Sequence, residues 1–277
     1  MPNRLPVHGV LLLGSSGSRM RDACTGNKHL IPIAGRPMAD YGLELLTRCG
    51  VDAITAVVRP EDEATFRRLF TASSWGPVTH IVRQPHPVGT ADALQRCASV
   101  VEQSLVITLW GDNLFEFVPH ATVAQFSAHP SAGMITITTA DDPRHFSTVA
   151  VAGGRVTDVV DKPARPTTKT VCTGLMLFES SVLFDALPSV PPNTRGERDM
   201  MHAVRQLLTA GSLTYDTITG RWFDAAVSPQ LLRETQLFAL HRGFNHPHNE
   251  SQERPPWIWR NHPIRSGSSS TPPAAAS

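Results

Sequence analysis

Residues 7–13, VHGVLLL, are mostly apolar without strict alternation. That is the pattern of a strand buried on both faces of a parallel sheet. In PMADYGLELLTRC, residues 37–49, Met38, Tyr41, Leu45 and Leu46 share one helical face, and Gly50 follows as a C-cap. DAITAVV (52–58) predicts a strand. EDEATFRRLF (61–70) predicts a helix with acids in its first turn. VTHIVRQ is the next strand, TADALQRCASVVEQ (90–103) the next helix and SLVITLW (104–110) a further strand. Strands alternating with helices predict an α/β fold with a mostly parallel sheet and helices on both faces.

After residue 130 the pattern changes. GMITITTA, STVAVAGG, RVTDVVDKP and KTVCTGLMLF read as strands in succession, followed by helical stretches at 180–187, 195–209 and 228–241. The expected organisation is one domain, 1–244, with halves at about 7–130 and 131–244. From Asn245 to Ser277 proline, serine and alanine dominate, and this segment reads as a disordered tail. No internal repeat stands out.

Composition narrows the picture. With 277 residues, 41% hydrophobic, the chain is long enough to bury a core. Its 25 basic and 24 acidic residues give a formal charge of +1. That balance argues against nucleic acid and membrane surfaces as partners, since either needs a net basic face. No apolar run approaches a membrane span. The apolar N-terminal stretch is too short for a signal peptide, so a cytoplasmic location is expected. The four cysteines, at 24, 49, 97 and 172, form no CxxC pair. They read as free thiols in a reducing compartment.

The candidate chemistry begins just past the first strand. Gly14 and Gly17, with Ser15 and Ser18, form a loop where ligands bind in such sheets, at the C-terminal strand ends. Small residues there let backbone N–H groups approach a phosphate, although short Gly/Ser turns are common without any ligand. The loop is not GxxxxGK[ST], and it lacks the third glycine of a dinucleotide fingerprint. Arg19 and Lys28 flank it, and two cations beside a backbone nest suit a polyanion such as a triphosphate.

GVLLLGSSGSRM, KHLIPIAGRPMADYGLELL, RQPHPVGTADAL, LWGDNLF, VVDKPARP, CTGLMLF, RGERDM and GRWFDAAVSPQLLRETQ follow in this order. Together they resemble the sugar-1-phosphate nucleotidyltransferases, most closely the glucose-1-phosphate thymidylyltransferases, over about residues 7–242. The resemblance implies a Rossmann-like, glycosyltransferase-A-like domain with a nucleotide-binding half and a strand-rich sugar-binding insertion. It implies transfer of a nucleotidyl group from dTTP or UTP to a sugar 1-phosphate, with Mg²⁺ as cofactor and a homo-oligomer, dimer or tetramer, as the working form. Gly14, Ser15, Gly17 and Ser18 would wrap the nucleotide, with Gln84 and Gly89 on the base. Arg19, Lys28, Asp112 and Lys162 would form the catalytic set. Asp112 and Asp224 would hold the metal. Asp161, Lys162, Gly174 and Glu197 would face the sugar phosphate.

Several positions depart from the family pattern. The loop reads GSSGSR where GGxGTR is usual, so Ser15 adds a Cβ near the nucleotide. Asp161 stands for glutamate, Ser147 for glycine, and Ala226 for the glycine of WxDxGT. These changes cluster where sugar and ribose would sit, which points to an altered acceptor or nucleotide preference. Two other readings remain open at this point: a non-sugar phosphate or phosphonate as acceptor, and a non-catalytic relative that binds nucleotide sugar as a regulatory subunit.

Overall fold

The computed structural model describes residues 5–15, 26–75 and 78–246. Its strands are β1 (Val7–Leu12), β2 (Pro32–Ile33), β3 (Arg36–Pro37), β4 (Ala53–Val58), β5 (Val78–Arg83), β6 (Leu105–Trp110), β7 (Asn113–Phe115), β8 (Gly133–Thr139), β9 (Thr148–Ala152), β10 (Arg155–Val160), β11 (Thr170–Glu179), β12 (Leu213–Thr217) and β13 (Trp222–Asp224). Its helices are α1 (Met38–Arg48), α2 (Glu63–Ala72), α3 (Thr90–Gln95), α4 (His120–Ala128), α5 (Ser180–Ala186), α6 (Met200–Thr209) and α7 (Pro229–His241).

One sheet organises the fold. β5, β4, β1 and β6 lie side by side and parallel, β11 pairs antiparallel with β6, and β8 lies antiparallel to β11 with β12 parallel beyond it. The β9–β10 hairpin joins at β11. The strands after residue 130 therefore extend the first half's sheet. Side chains of the central strands alternate between two cores. Val10, Leu12 and Val106 pack on one face with α3 and α6, while Leu11, Leu13, Ile107 and Leu109 pack on the other with α1 and α4. A third cluster joins α1 to α7 through Tyr41, Phe223 and Phe244.

The structure departs from the sequence reading in places. α3 stops at Gln95, because the next turns close with i→i+3 bonds such as Cys97 N–H to Leu94 O. The helix expected over 195–209 begins at Met200, capped by the Asp199 side chain on the Met201 N–H. Residues 195–199 are loop, with Gly196 at φ +77°. The expected tail starts at Asn245, yet Asn245 is buried and its Nδ2 donates to Tyr41 O at 2.9 Å. His246 bridges to Phe117; residues 247–277 lie outside the described residues. Cys49, Cys97 and Cys172 are buried free thiols, and burial pushes each up, to about 12, 12 and 11. Cys24 lies outside the described residues. No helix among the described residues is long and apolar enough to cross a membrane.

Candidate active site

The parallel strands end on one edge, where a cleft of about 250 Å³ opens. Gly14 and Ser15 reach it from β1, Gln84 from β5, Trp110 and Asp112 from β6. This is the carboxyl edge at which open α/β sheets bind ligands.

Lys28 sits in a 3₁₀ turn (Lys28–Leu30) whose cap is Asn27. The Asn27 carboxamide accepts from His29 N–H at 2.9 Å and donates to Leu13 O and Asp62 Oδ2, each at 2.8 Å. The turn is thereby pinned to the end of β1. Lys28 is 9% exposed and its ammonium is ion-paired to Asp112, which is 7% exposed. Burial pushes the Asp112 carboxyl up, but the Lys28 ammonium and its hydrogen bond outweigh burial and hold it well below the usual carboxylate range. His29 beside them is fully buried. Burial and then the Lys28 charge lower it to about 3, so its ring is neutral at pH 7.

Asp224 arrives by a different route. The short β7–β13 ribbon pairs Asp224 with Asn113, and Ala225 N–H donates to Asp112 O at 2.9 Å. This pairing brings the second candidate metal ligand to the cleft beside the first. Ala226 follows, buried in the third core and lining the cleft.

At the β1–β5 end of the cleft the glycines leave room for their neighbours. A Cβ on Gly14 would lie 2.7 Å from Gln84 Oε1. Gly89 has φ +109°, and a Cβ there would lie 2.2 Å from Arg198 O. Gln84 is buried, and its Nε2 donates to Gly89 O at 2.9 Å and Asp92 Oδ2 at 3.0 Å. The backbone at Ser15 lies outside the left-handed region, so serine is conformationally at ease there. Gly17, Ser18 and Arg19 lie outside the described residues.

The opposite end is built from the β9–β10 hairpin and the loop before α6. Lys162 has φ +42° and donates its backbone N–H to Phe146 O at 3.2 Å. Its side chain lines the cleft with Phe146, Ser147, Glu197 and Asp199. Asp161 stands beside the cleft, held by the Ser147 hydroxyl at 2.8 Å. Gly174, at φ +77°, lies beneath the Trp110 ring, which a Cβ would approach to 2.5 Å. It shapes the cleft wall from behind and does not line it. Arg195 and Glu197 pair at 2.8 Å at the rim.

Sequence reading missed His29, Trp110, Phe146, Arg195 and Asp199 as lining residues. Trp110 stands two positions before Asp112, so strand parity was a usable signal for it. Asp199 carried another: an acid directly before an apolar helical run is an N-cap. Burial pushes Asp199 up, the Met201 N–H opposes this, and the Asp161 carboxylate adds to the rise.

The profile of the nucleotidyl transferase family matches residues 8–236. The chain belongs to that family. The low-salt glycan biosynthesis nucleotidyltransferase Agl11 of Haloferax volcanii is 30% identical over 236 residues, covering 83% of this chain and 66% of the relative. The chain thus spans just under two thirds of that relative's length. A glucose-1-phosphate thymidylyltransferase of an Actinoplanes species is 29% identical over 233 residues, covering 82% and 76%. Among solved structures, a crystallised putative glucose-1-phosphate thymidylyltransferase from Bacillus anthracis, in complex with sucrose, superposes with a TM-score of 0.77 at 26% identity. That match covers 87% of this chain and 97% of the other.

Proposed function

We propose that the chain transfers a nucleotidyl group from dTTP or UTP to a sugar 1-phosphate, giving a nucleoside diphosphate sugar and pyrophosphate. The observation that carries this reading is the buried Lys28–Asp112 ion pair at the mouth of β1 and β6, in one cleft with Asp224 and Lys162. Lys28 and Lys162 with Asp112 and Asp224, in a cleft that Arg195, Glu197 and Asp199 also line, match a reaction between two phosphate anions, whose main obstacle is charge repulsion.

In this reading Lys28 exchanges Asp112 for phosphate oxygens when the triphosphate enters. Lys162 holds the acceptor phosphate in line with the α-phosphorus. The acceptor oxygen attacks, and the bond to pyrophosphate breaks. No general base is required, because the acceptor phosphate is already ionised. Catalysis is positioning and electrostatic stabilisation. Gln84 uses both Nε2 hydrogens on Gly89 and Asp92. Its Oε1 is left to accept from a base, and the N3–H of thymine or uracil is such a donor.

Asp112 and Asp224 are hard oxygen donors that fit Mg²⁺. No group of three or more His, Cys, Asp or Glu suited to a metal gathers among the described residues. An ion held by two carboxylates would complete its shell with water and substrate phosphates. When bound, Mg²⁺ would neutralise phosphate charge and orient the groups.

The test is pyrophosphate release from purified protein with Mg²⁺, across five nucleoside triphosphates and a panel of sugar 1-phosphates. Release confined to the dTTP or UTP rows and dependent on the acceptor supports the reading. Folded protein that binds nucleotide and releases nothing across the grid contradicts it.

A further inference from the structure

Asp161 Oδ1 has two suitors. The Ser147 hydroxyl donates to it at 2.8 Å, while the Lys162 ammonium stands 3.8 Å from the same atom. Ser147 is 3% exposed and fixed in place. Its carbonyl accepts from Cys172 N–H at 2.9 Å, tying it to β11. Lys162 is fixed at its backbone by the left-handed turn and the bond to Phe146 O. The Arg195–Glu197 pair nearby closes to 2.8 Å, a full ångström shorter. Here the pair stays open.

We propose that Ser147 is a positioning residue that holds the Asp161 carboxylate back from Lys162, leaving the ammonium free to take an acceptor's phosphate. This deepens the reading of Lys162 as the acceptor-phosphate residue and rests on it. The two departures at 147 and 161 then belong together. An aspartate beside the phosphate-binding lysine is a competitor for its charge, and the serine hydroxyl anchors the carboxylate at a distance from the ammonium. The device acts on charge at the acceptor end and leaves the nucleotide end untouched.

The probe is inorganic phosphate, whose affinity for the folded protein is read by calorimetry, with no turnover needed. A half-exposed ion pair contributes up to ~1 kcal/mol, or about five-fold in affinity. Ser147→Ala is expected to bind phosphate about three- to five-fold more weakly than the unaltered chain. Ser147→Ala/Asp161→Asn is expected to recover that affinity, because no carboxylate remains to capture Lys162. A merely structural role for Ser147 predicts no such recovery. In turnover, Ser147→Ala should raise KM for the sugar phosphate and leave KM for the triphosphate unchanged. Unchanged phosphate affinity in Ser147→Ala, or a double variant no better than the single one, overturns the proposal. If Lys162→Met binds phosphate as well as the unaltered chain, the assignment of Lys162 itself fails, and the inference falls with it.

Discussion

Lys28 and Asp112 tie stability to the proposed chemistry through one contact. Both are buried, and each satisfies the other's charge. Removing one partner of such a pair leaves an uncompensated buried charge, at a cost of about 3–5 kcal/mol. Asp112→Asn is therefore expected to lower the melting temperature by several degrees as well as to abolish turnover, both measurable on the same preparation. Gly89 makes a sharper case. Its φ of +109° and the Arg198 backbone leave no room for a Cβ. Gly89→Ala should destabilise by more than ~2 kcal/mol in chemical denaturation. A Gly89→Ala protein as stable as the unaltered one would contradict the geometry. Lys28 was singled out by its charge beside the glycine loop, and Asp112 and Gly89 only through the family resemblance; all three line the one cleft. Phe146 was not legible in the sequence, since an aromatic beside a strand looks the same whether it faces core or cleft; Trp110 was missed although its parity with Asp112 offered a signal.

At the scale of elements, the β7–β13 ribbon does the least visible work. It has three residues per strand, too few for a period to show in sequence, and it was missed for that reason. So was β12, which is held by pairing to β8. The ribbon positions Asp224, and it is anchored by Phe223 packed between Phe238 and Phe244 at ring separations of 5.1 and 5.8 Å. Phe223→Ala should cost about 3–5 kcal/mol by opening this cluster. It should also reduce turnover beyond the fraction unfolded, because Asp224 loses its support. A variant with full specific activity per folded molecule would mean the ribbon does not position the site. The long parallel strands, by contrast, were read correctly from their apolar runs. Loop 195–199 was read as helix because Gly196 and the Asp199 cap were not weighed against the apolar residues after them.

At the scale of the whole molecule, pH acts through buried neutral histidines. Burial and then His80 lower His8 to about 4, and burial and then Lys28 lower His29 to about 3, both from 6.5. Below 6.5 the unfolded chain takes up protons that the folded chain refuses, so stability falls as pH drops from about 6.5 toward 4. The melting temperature should decline across that window. His8→Asn, which keeps a polar partner for Thr55, should flatten the decline. A melting temperature independent of pH from 7 to 4.5 would contradict this. The α/β class and its mostly parallel sheet were legible because alternating strands and helices leave few topologies. That the second half's strands would extend the same sheet was not, since antiparallel pairing partners lie far apart in sequence.

In the proposed reading this cleft joins a nucleotide to a sugar phosphate. The most direct measurement follows label from α-³²P-dTTP or α-³²P-UTP into product, with and without a sugar 1-phosphate, for the unaltered chain and Asp112→Asn. A labelled nucleoside diphosphate sugar is expected only when acceptor is present, and none with Asp112→Asn. Label appearing as nucleoside monophosphate whether or not acceptor is added, or transfer that survives Asp112→Asn, would contradict it.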